Sequence, residues 1–140
     1  MIDLLLPLLL LAAPDQAGAP LDPAQAISRA EAAPRRQPKL DCAMVVVSTQ
    51  RTAKGVYLHS TDDYRRPDDL TVLVAYPLAD RLGKQLGAPI EDALKGKRIV
   101  VRGPVASLPI VNSFAQRAES FNRVQHRMLV RTPNQVLSLG

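Results

Sequence analysis

The stretch that most limits what this chain can fold into runs from Leu94 to Val105, Leu-Lys-Gly-Lys-Arg-Ile-Val-Val-Arg-Gly-Pro-Val. Gly96 ends whatever precedes it, since glycine readily takes the left-handed conformation that closes a helix. The β-branched residues that follow demand a strand, with Ile99 and Val101 facing a core and Arg98, Val100 and Arg102 facing out. Gly103-Pro104 then stops or bends that strand. A segment of this kind fits a small β-rich domain, and the rest of the chain is read around it.

Strand-forming runs recur on both sides. Met44 to Thr49 starts a first strand, Arg51 to Gly55 is a polar turn, and Val56 to Ser60 returns as a second strand. Thr61 to Asp69 is a loop, because Pro67 biases Arg66 away from helix. Asp62, Asp63, Asp68 and Asp69 flank Arg65 and Arg66 there, as in a turn closed by surface ion pairs. Leu70 to Tyr76 alternates as a third strand, with Leu70, Val72, Val74 and Tyr76 on the buried side. Pro77 opens a helix striped by Leu78, Leu82 and Leu86, broken at Gly87-Ala88-Pro89 and followed by one more turn from Ile90 to Leu94. Arg98 to Arg102 is the fourth strand and His126 to Arg131 the fifth, with Val136 to Leu139 as a final edge segment.

Between the last two lies a long, partly helical loop. Ser113-Phe-Ala-Gln116 carries the capping-box pattern, and Phe114, Ala118 and Phe121 then fall on one face of a short helix. Three meandering strands, a helix, a strand, a long loop and a closing strand follow the order of a five-stranded OB-fold Greek-key barrel, an all-β fold with a helix between strands three and four.

Particular segments resemble a known family. "LKGKRIVVRGPV" is similar to the fourth-strand segment of many OB domains, where Gly-Lys opens the strand and Gly closes it. "GVYLHSTDDYRRPDDLTVLV" and "HRMLVRTPNQV" resemble the second-to-third-strand region and the closing strand of small exported bacterial OB-fold domains. The resemblance covers about Cys42 to Leu139 and rests on structural motifs. Those relatives join strands four and five by a short turn, whereas this chain places about twenty residues there, so the loop's binding properties do not transfer.

The ends of the chain read differently. Leu4 to Ala13 is apolar except for Pro7, and ten residues are too few to span a bilayer. They suit a secretory signal over residues 1–19, with Ala17-Gly18-Ala19 as the cleavage site, although Asp3 replaces the usual basic start. This predicts a periplasmic or secreted protein without an integral membrane span in its mature chain, or a cytoplasmic one if the segment is no signal. Residues 20–40 are rich in Ala and Pro; a helix from Ala24 to Ala32 would offer only Ala and Ile27 to a core, so the segment reads as a flexible linker. The OB-fold domain then spans residues 41–140.

Charge narrows the partners. Residues 1–40 carry four basic and four acidic side chains, residues 41–94 six and eight, and residues 95–140 eight and one, or 0, −2 and +7 out of the overall +5. A basic C-terminal segment points to an anionic polymer, such as single-stranded nucleic acid, or else forms a solvated face. OB folds hold ligands across strands two and three, between the loops joining strands one to two and four to five. The candidate ligand-binding residues are therefore Arg51, Lys54, Tyr57, His59, Arg98, Arg102, Phe114, Arg117, Phe121, Arg123 and Arg127. Cations neutralise phosphates and rings stack on bases. The competing readings make Phe114 and Phe121 a buried helix stripe, and His59 a residue of a half-exposed strand face.

No catalytic set is evident, and neither a cofactor nor a metal is expected. His59 with Asp62 and Asp63 lacks a second imidazole nearby, and Cys42, the only cysteine, precludes an intramolecular disulfide and reads as a small buried apolar residue. The sequence thus points to a non-catalytic binding module for an anionic polymer. The alternative is an exported structural or protein-interaction module. A weaker one is a hydrolase on the same barrel, which would require a cleft uniting His59 or His126 with a carboxylate.

Overall fold

A computed structural model describes residues 18–111 and 121–140, with side chains up to Ile110 and from Val124 onward. The protein is mostly β-sheet with a few short helices. Helix α1 (Pro23–Ala32) precedes strands β1 (Lys39–Val45), β2 (Ser48–Thr52), β3 (Gly55–His59) and β4 (Leu70–Val74). Helices α2 (Tyr76–Leu86) and α3 (Ile90–Ala93) lead to β5 (Arg98–Val111), β6 (Phe121–Val130) and the short edge strand β7 (Val136–Leu139).

The strands lie in the order β1-β5-β6-β4-β3-β2, with β7 added beside β5. All pairings are antiparallel except β4 with β6, where Thr71 stands opposite Arg127 and Val72 opposite Met128. The path begins and ends on strands separated only by Val46 and Val47. The Val46 amide bonds to the Lys97 carbonyl beside β5 at 2.9 Å, and the Val47 amide to the His59 carbonyl in β3, also at 2.9 Å. Two residues thus pass the chain from one end of the sheet to the other.

Alternation decides what is buried. Val56 and Leu58 of β3, Leu70, Val72 and Val74 of β4, Ile99, Val101 and Val105 of β5, and Met128 and Val130 of β6 meet Cys42, Met44 and Val46 in one core. Cys42 is fully enclosed, and burial pushes its thiol pKa up to about 12, so it packs as an inert apolar group. Strand β4 is buried on both faces, Thr71 and Leu73 included, a point that matters for the site below.

Gly103-Pro104 bends β5 without ending it. Residues up to Pro104 pair with β1, while Val105 onward pairs with β6. Gly103 is required by close approach: a Cβ there would stand 2.9 Å from Gln135 Nε2 and 3.1 Å from the Leu129 carbonyl. Gln135 Nε2 donates to the carbonyls of Arg102 and Leu129, at 3.0 Å each, and ties the diverging strands together.

Several expectations are corrected. The strand count is seven, because the first run divides into β1 and β2 and because Val136–Leu139 pairs as a strand. The turn between β2 and β3 is two residues, Ala53 and Lys54, with Thr52 opposite Gly55. Tyr76 begins α2 instead of ending β4, and Leu86 of the helical stripe is 41% exposed while Leu78, Ala79 and Leu82 are buried. The expected helical run cannot include Phe121, which opens β6 opposite Val111. Ladder pairing of Ile110 with Arg123 and Leu108 with Gln125 overrides the local helical spacing. Phe114 and Ala118 lie outside the described residues, as do residues 1–17 of the expected signal.

Residues 20–40 also depart from the reading as a tether. Asp22 caps α1 in a capping box with Gln25, the Gln25 amide donating to Asp22 Oδ1 at 2.8 Å. Ala26, Ile27 and Ala30 are buried against the sheet. Small alanine side chains let the helix backbone approach closely, so a modest apolar face becomes well packed. Among the described residues no helix is long and apolar enough to cross a membrane.

Candidate functional site

The site lies on the face of β3, β4 and β6 that points away from the core. Register places His59 beside Thr71, and Thr71 beside Arg127, while Tyr57 stands beside Leu73. A groove of about 650 Å³ runs over this face. Gln50, Thr52, Ala53, Lys54 and Tyr57 line it from the β2–β3 hairpin, and Leu108, Pro109, Ile110, Gln125 and Arg127 from the outer half of the β5–β6 pair. Tyr64, from the loop between β3 and β4, completes the wall. The described lining holds two cations, two phenol rings and no carboxylate.

The hairpin is built to hold this shape. Gly55 has φ +150°, and a Cβ there would lie 2.5 Å from the Val74 carbonyl oxygen. The Tyr76 hydroxyl donates to the Thr52 carbonyl, anchoring the hairpin to the start of α2. Lys54 lies at its tip and Arg127 on β6, and neither forms an ion pair among the described residues.

Beneath the groove sits a buried polar cluster. Asp69 Oδ2 accepts from the Thr71 hydroxyl at 2.7 Å and lies 3.2 Å from Nδ1 of His59. Asp69 Oδ1 accepts from the Thr61 hydroxyl at 2.7 Å and from the Thr61 amide at 3.0 Å. Burial alone would raise the Asp69 pKa, but hydrogen bonds from His59, Thr71 and Thr61 together outweigh it and hold the carboxyl below its ordinary value. Because the Thr71 proton is committed to Asp69, the 3.0 Å contact between His59 Nδ1 and Thr71 Oγ1 requires the proton on Nδ1. Nε2 of His59 is buried and has no hydrogen-bond partner. The imidazole lies between Tyr57 and Tyr64, at centroid distances of 6.0 and 5.6 Å.

The expected site residues separate into groups. Lys54, Tyr57 and Arg127 meet in the groove, with His59 underneath. Arg51 does not join them: its Nη2 donates to Glu91 Oε1 at 3.0 Å, and its guanidinium lies 5.3 Å from the Tyr76 ring centre. That pairing raises the Arg51 pKa and lowers that of Glu91. Arg102 is held by Asp41, with Nε to Oδ1 at 2.7 Å, and both Arg98 and Arg102 lie on the half of β5 that pairs with β1, outside the groove lining. Phe114 and Arg117 fall outside the described residues. Phe121 and Arg123 are placed by backbone register opposite Val111 and Ile110.

Sequence reasoning missed Tyr64, Gln125, the Leu108–Ile110 segment and Asp69. Asp69 had been grouped with the surface carboxylates of its loop. Asp62, Asp63 and Asp68 do pair with Arg65 or Arg66 at the surface, but Asp69 turns inward. A second imidazole, His126, is buried with Nε2 3.0 Å from Glu31 Oε2 of α1. Among the described residues no three His, Cys, Asp or Glu side chains converge as a metal-binding set.

No protein-family model matches the chain, and no curated protein matches it. Among solved structures it is similar to an aspartyl-tRNA synthetase from Entamoeba histolytica, at 12% identity and a TM-score of 0.37, over 74% of this chain and 19% of that one. It is also similar to a protein assigned as an aspartyl-tRNA synthetase from Leishmania major Friedlin, at 12% identity and a TM-score of 0.41, over 88% of this chain and 22% of that one. The chain thus spans about a fifth of each protein's length. Likeness of that extent defines neither fold nor partner, and the reading below rests on the groove.

Proposed function

We propose that this chain is a non-catalytic OB-type barrel that binds single-stranded nucleic acid in the groove over β3, β4 and β6. The barrel reading takes β1 and β2 as one strand bent at Val46-Val47. With the edge strand β7 set aside, the count is then five, the bent strand stands at both ends of the path, and its two halves close the sheet. The parallel β4–β6 pair and the helices between β4 and β5 support the same reading.

The observation that carries the ligand assignment is the groove lining. Lys54 and Arg127, without an ion pair among the described residues, offer cations to phosphates, and Tyr57 and Tyr64 offer rings to bases, with no acidic side chain among the described lining residues to repel a polyanion. Stacking on each ring contributes about 1–3 kcal/mol. The basic C-terminal segment contributes less than its net charge suggests, since Arg102 is already paired with a carboxylate.

Export remains part of the proposal. The Leu21 amide bonds to the Asp41 carbonyl at 2.8 Å, so cleavage after Ala19 would leave a mature chain that starts at the edge of the folded domain. An exported protein-interaction module is the second reading, favoured by the apolar wall of Leu108, Pro109 and Ile110.

Fluorescence anisotropy with labelled oligonucleotides over a salt series tests the assignment. Two phosphate contacts predict a slope of log K against log salt of about −1.4 for a single strand. Absence of binding at low salt overturns the nucleic-acid reading.

A further inference from the structure

One polar side chain in the groove wall is left without a use by the fold itself. Gln125 lies two residues before Arg127 on β6, hence on the same outward face, and stands opposite Leu108 of β5. Both Gln125 and Leu108 line the groove. Gln125 is only 8% exposed, yet its amide forms no hydrogen bond among the described residues. Unlike Nε2 of His59, neither of its amide atoms is sealed from solvent, so the group opens into the groove. A polar group packed so closely without a partner is unfavourable, and a ligand that supplies one relieves the penalty.

The chemistry of the amide narrows what that ligand offers. A carboxamide presents an acceptor, Oε1, and a donor, Nε2, side by side. A phosphate oxygen only accepts, so a contact to the strand backbone leaves Oε1 unmatched. The edge of an unpaired nucleobase carries a donor next to an acceptor and meets both at once. The lining agrees with this: Leu108 opposite Gln125 and the Tyr57 ring give a flat heterocycle apolar contact, while Lys54 and Arg127 supply charge for phosphates.

We propose that Gln125 is the base-reading contact of the groove, its amide hydrogen-bonded to the edge of one unpaired base. This rests on the nucleic-acid reading and deepens it, because the ligand is then recognised by a base as well as by its charge. Other polyanions satisfy the cations but not the amide. Since the amide can turn over and present donor and acceptor in either order, the contact requires a base without choosing among the four. Phosphate contacts position the strand, and Gln125 checks that a base is there.

The test compares two single strands of equal length and phosphate count on the full chain at low salt, one ordinary and one abasic throughout. Gln125→Met keeps the length and packing of the side chain but removes both hydrogen-bonding atoms. Measured by anisotropy, it should lower the ratio of ordinary-strand to abasic-strand affinity about tenfold relative to wild type. Side-chain amide NMR of the wild type gives a second readout that needs no variant. The Gln125 amide protons should move downfield with the ordinary strand, as hydrogen-bonded protons do, and stay in place with the abasic one. An equal loss on both strands in a folded variant, or Gln125 amide protons unmoved by saturating ordinary strand, overturns the base contact and leaves the groove assignment standing. Failure of both strands to bind at low salt overturns the two together.

Discussion

Nδ1 of His59 lies 3.2 Å from Asp69 Oδ2, and both side chains are sealed beneath the sheet's outer face. The contact fixes the imidazole and locks the loop between β3 and β4 to the sheet, since Asp69 also holds Thr61. Asp69→Asn should therefore destabilise the fold by about 2 kcal/mol or more, as it weakens several hydrogen bonds to a buried charge. The same carboxyl sets an acid dependence. Its folded pKa lies below the unfolded value, so its contribution is fully present above about pH 4 and is lost as pH falls toward the folded value. Urea unfolding from pH 6 down to pH 3 should show a shallower acid loss in Asp69→Asn than in wild type. Asp41 and Glu91 are also depressed, so part of the slope remains.

Two pairs of basic side chains should behave oppositely toward oligonucleotides. Lys54→Ala and Arg127→Ala should each weaken binding and reduce the salt slope by about 0.7, the loss of one phosphate contact. Arg51→Ala and Arg102→Ala should leave both unchanged, because Glu91 and Asp41 already occupy those guanidiniums. Anisotropy titrations at several salt concentrations check all four.

Ile27→Ala tests whether α1 belongs to the domain. Ile27 is buried with Ala26 and Ala30, so truncation should cost about 2 kcal/mol in denaturant unfolding. A flexible tether would give no change.

Gly55→Ala should cost more than about 1 kcal/mol, because φ +150° and the Val74 carbonyl leave no room for a Cβ. Thermal melts should show a clear drop, whereas Ala53→Ser at the neighbouring exposed turn position should leave the melting temperature nearly unchanged.

Much of the fold was legible because it follows from pattern. β-branched runs gave β3, β4 and the start of β5, and the Gly87 stop, with φ +81°, ends α2 as expected. What was not legible depended on distant pairing. The length of β5 is set by its change of partner at Pro104, which no local signal announces. Helix α1 was undervalued because alanines score poorly as a core, although Asp22-Pro-Ala-Gln25 is a helix-start signature. At the site, Lys54 was visible as a charge in an expected turn, and Tyr57 and Arg127 as ring and charge on expected strands. Asp69 was not, because nothing in Asp68-Asp69 says which carboxylate turns inward; the ladder from Leu70 onward decides it.

The most direct test of the central claim is an amide-shift map of the labelled full chain titrated with a short single-stranded oligonucleotide at low salt. The groove assignment predicts the largest shifts at Lys54, Tyr57, Leu108, Ile110, Gln125 and Arg127. Shifts centred on Arg98 and Arg102, or none at saturating oligonucleotide, would contradict it.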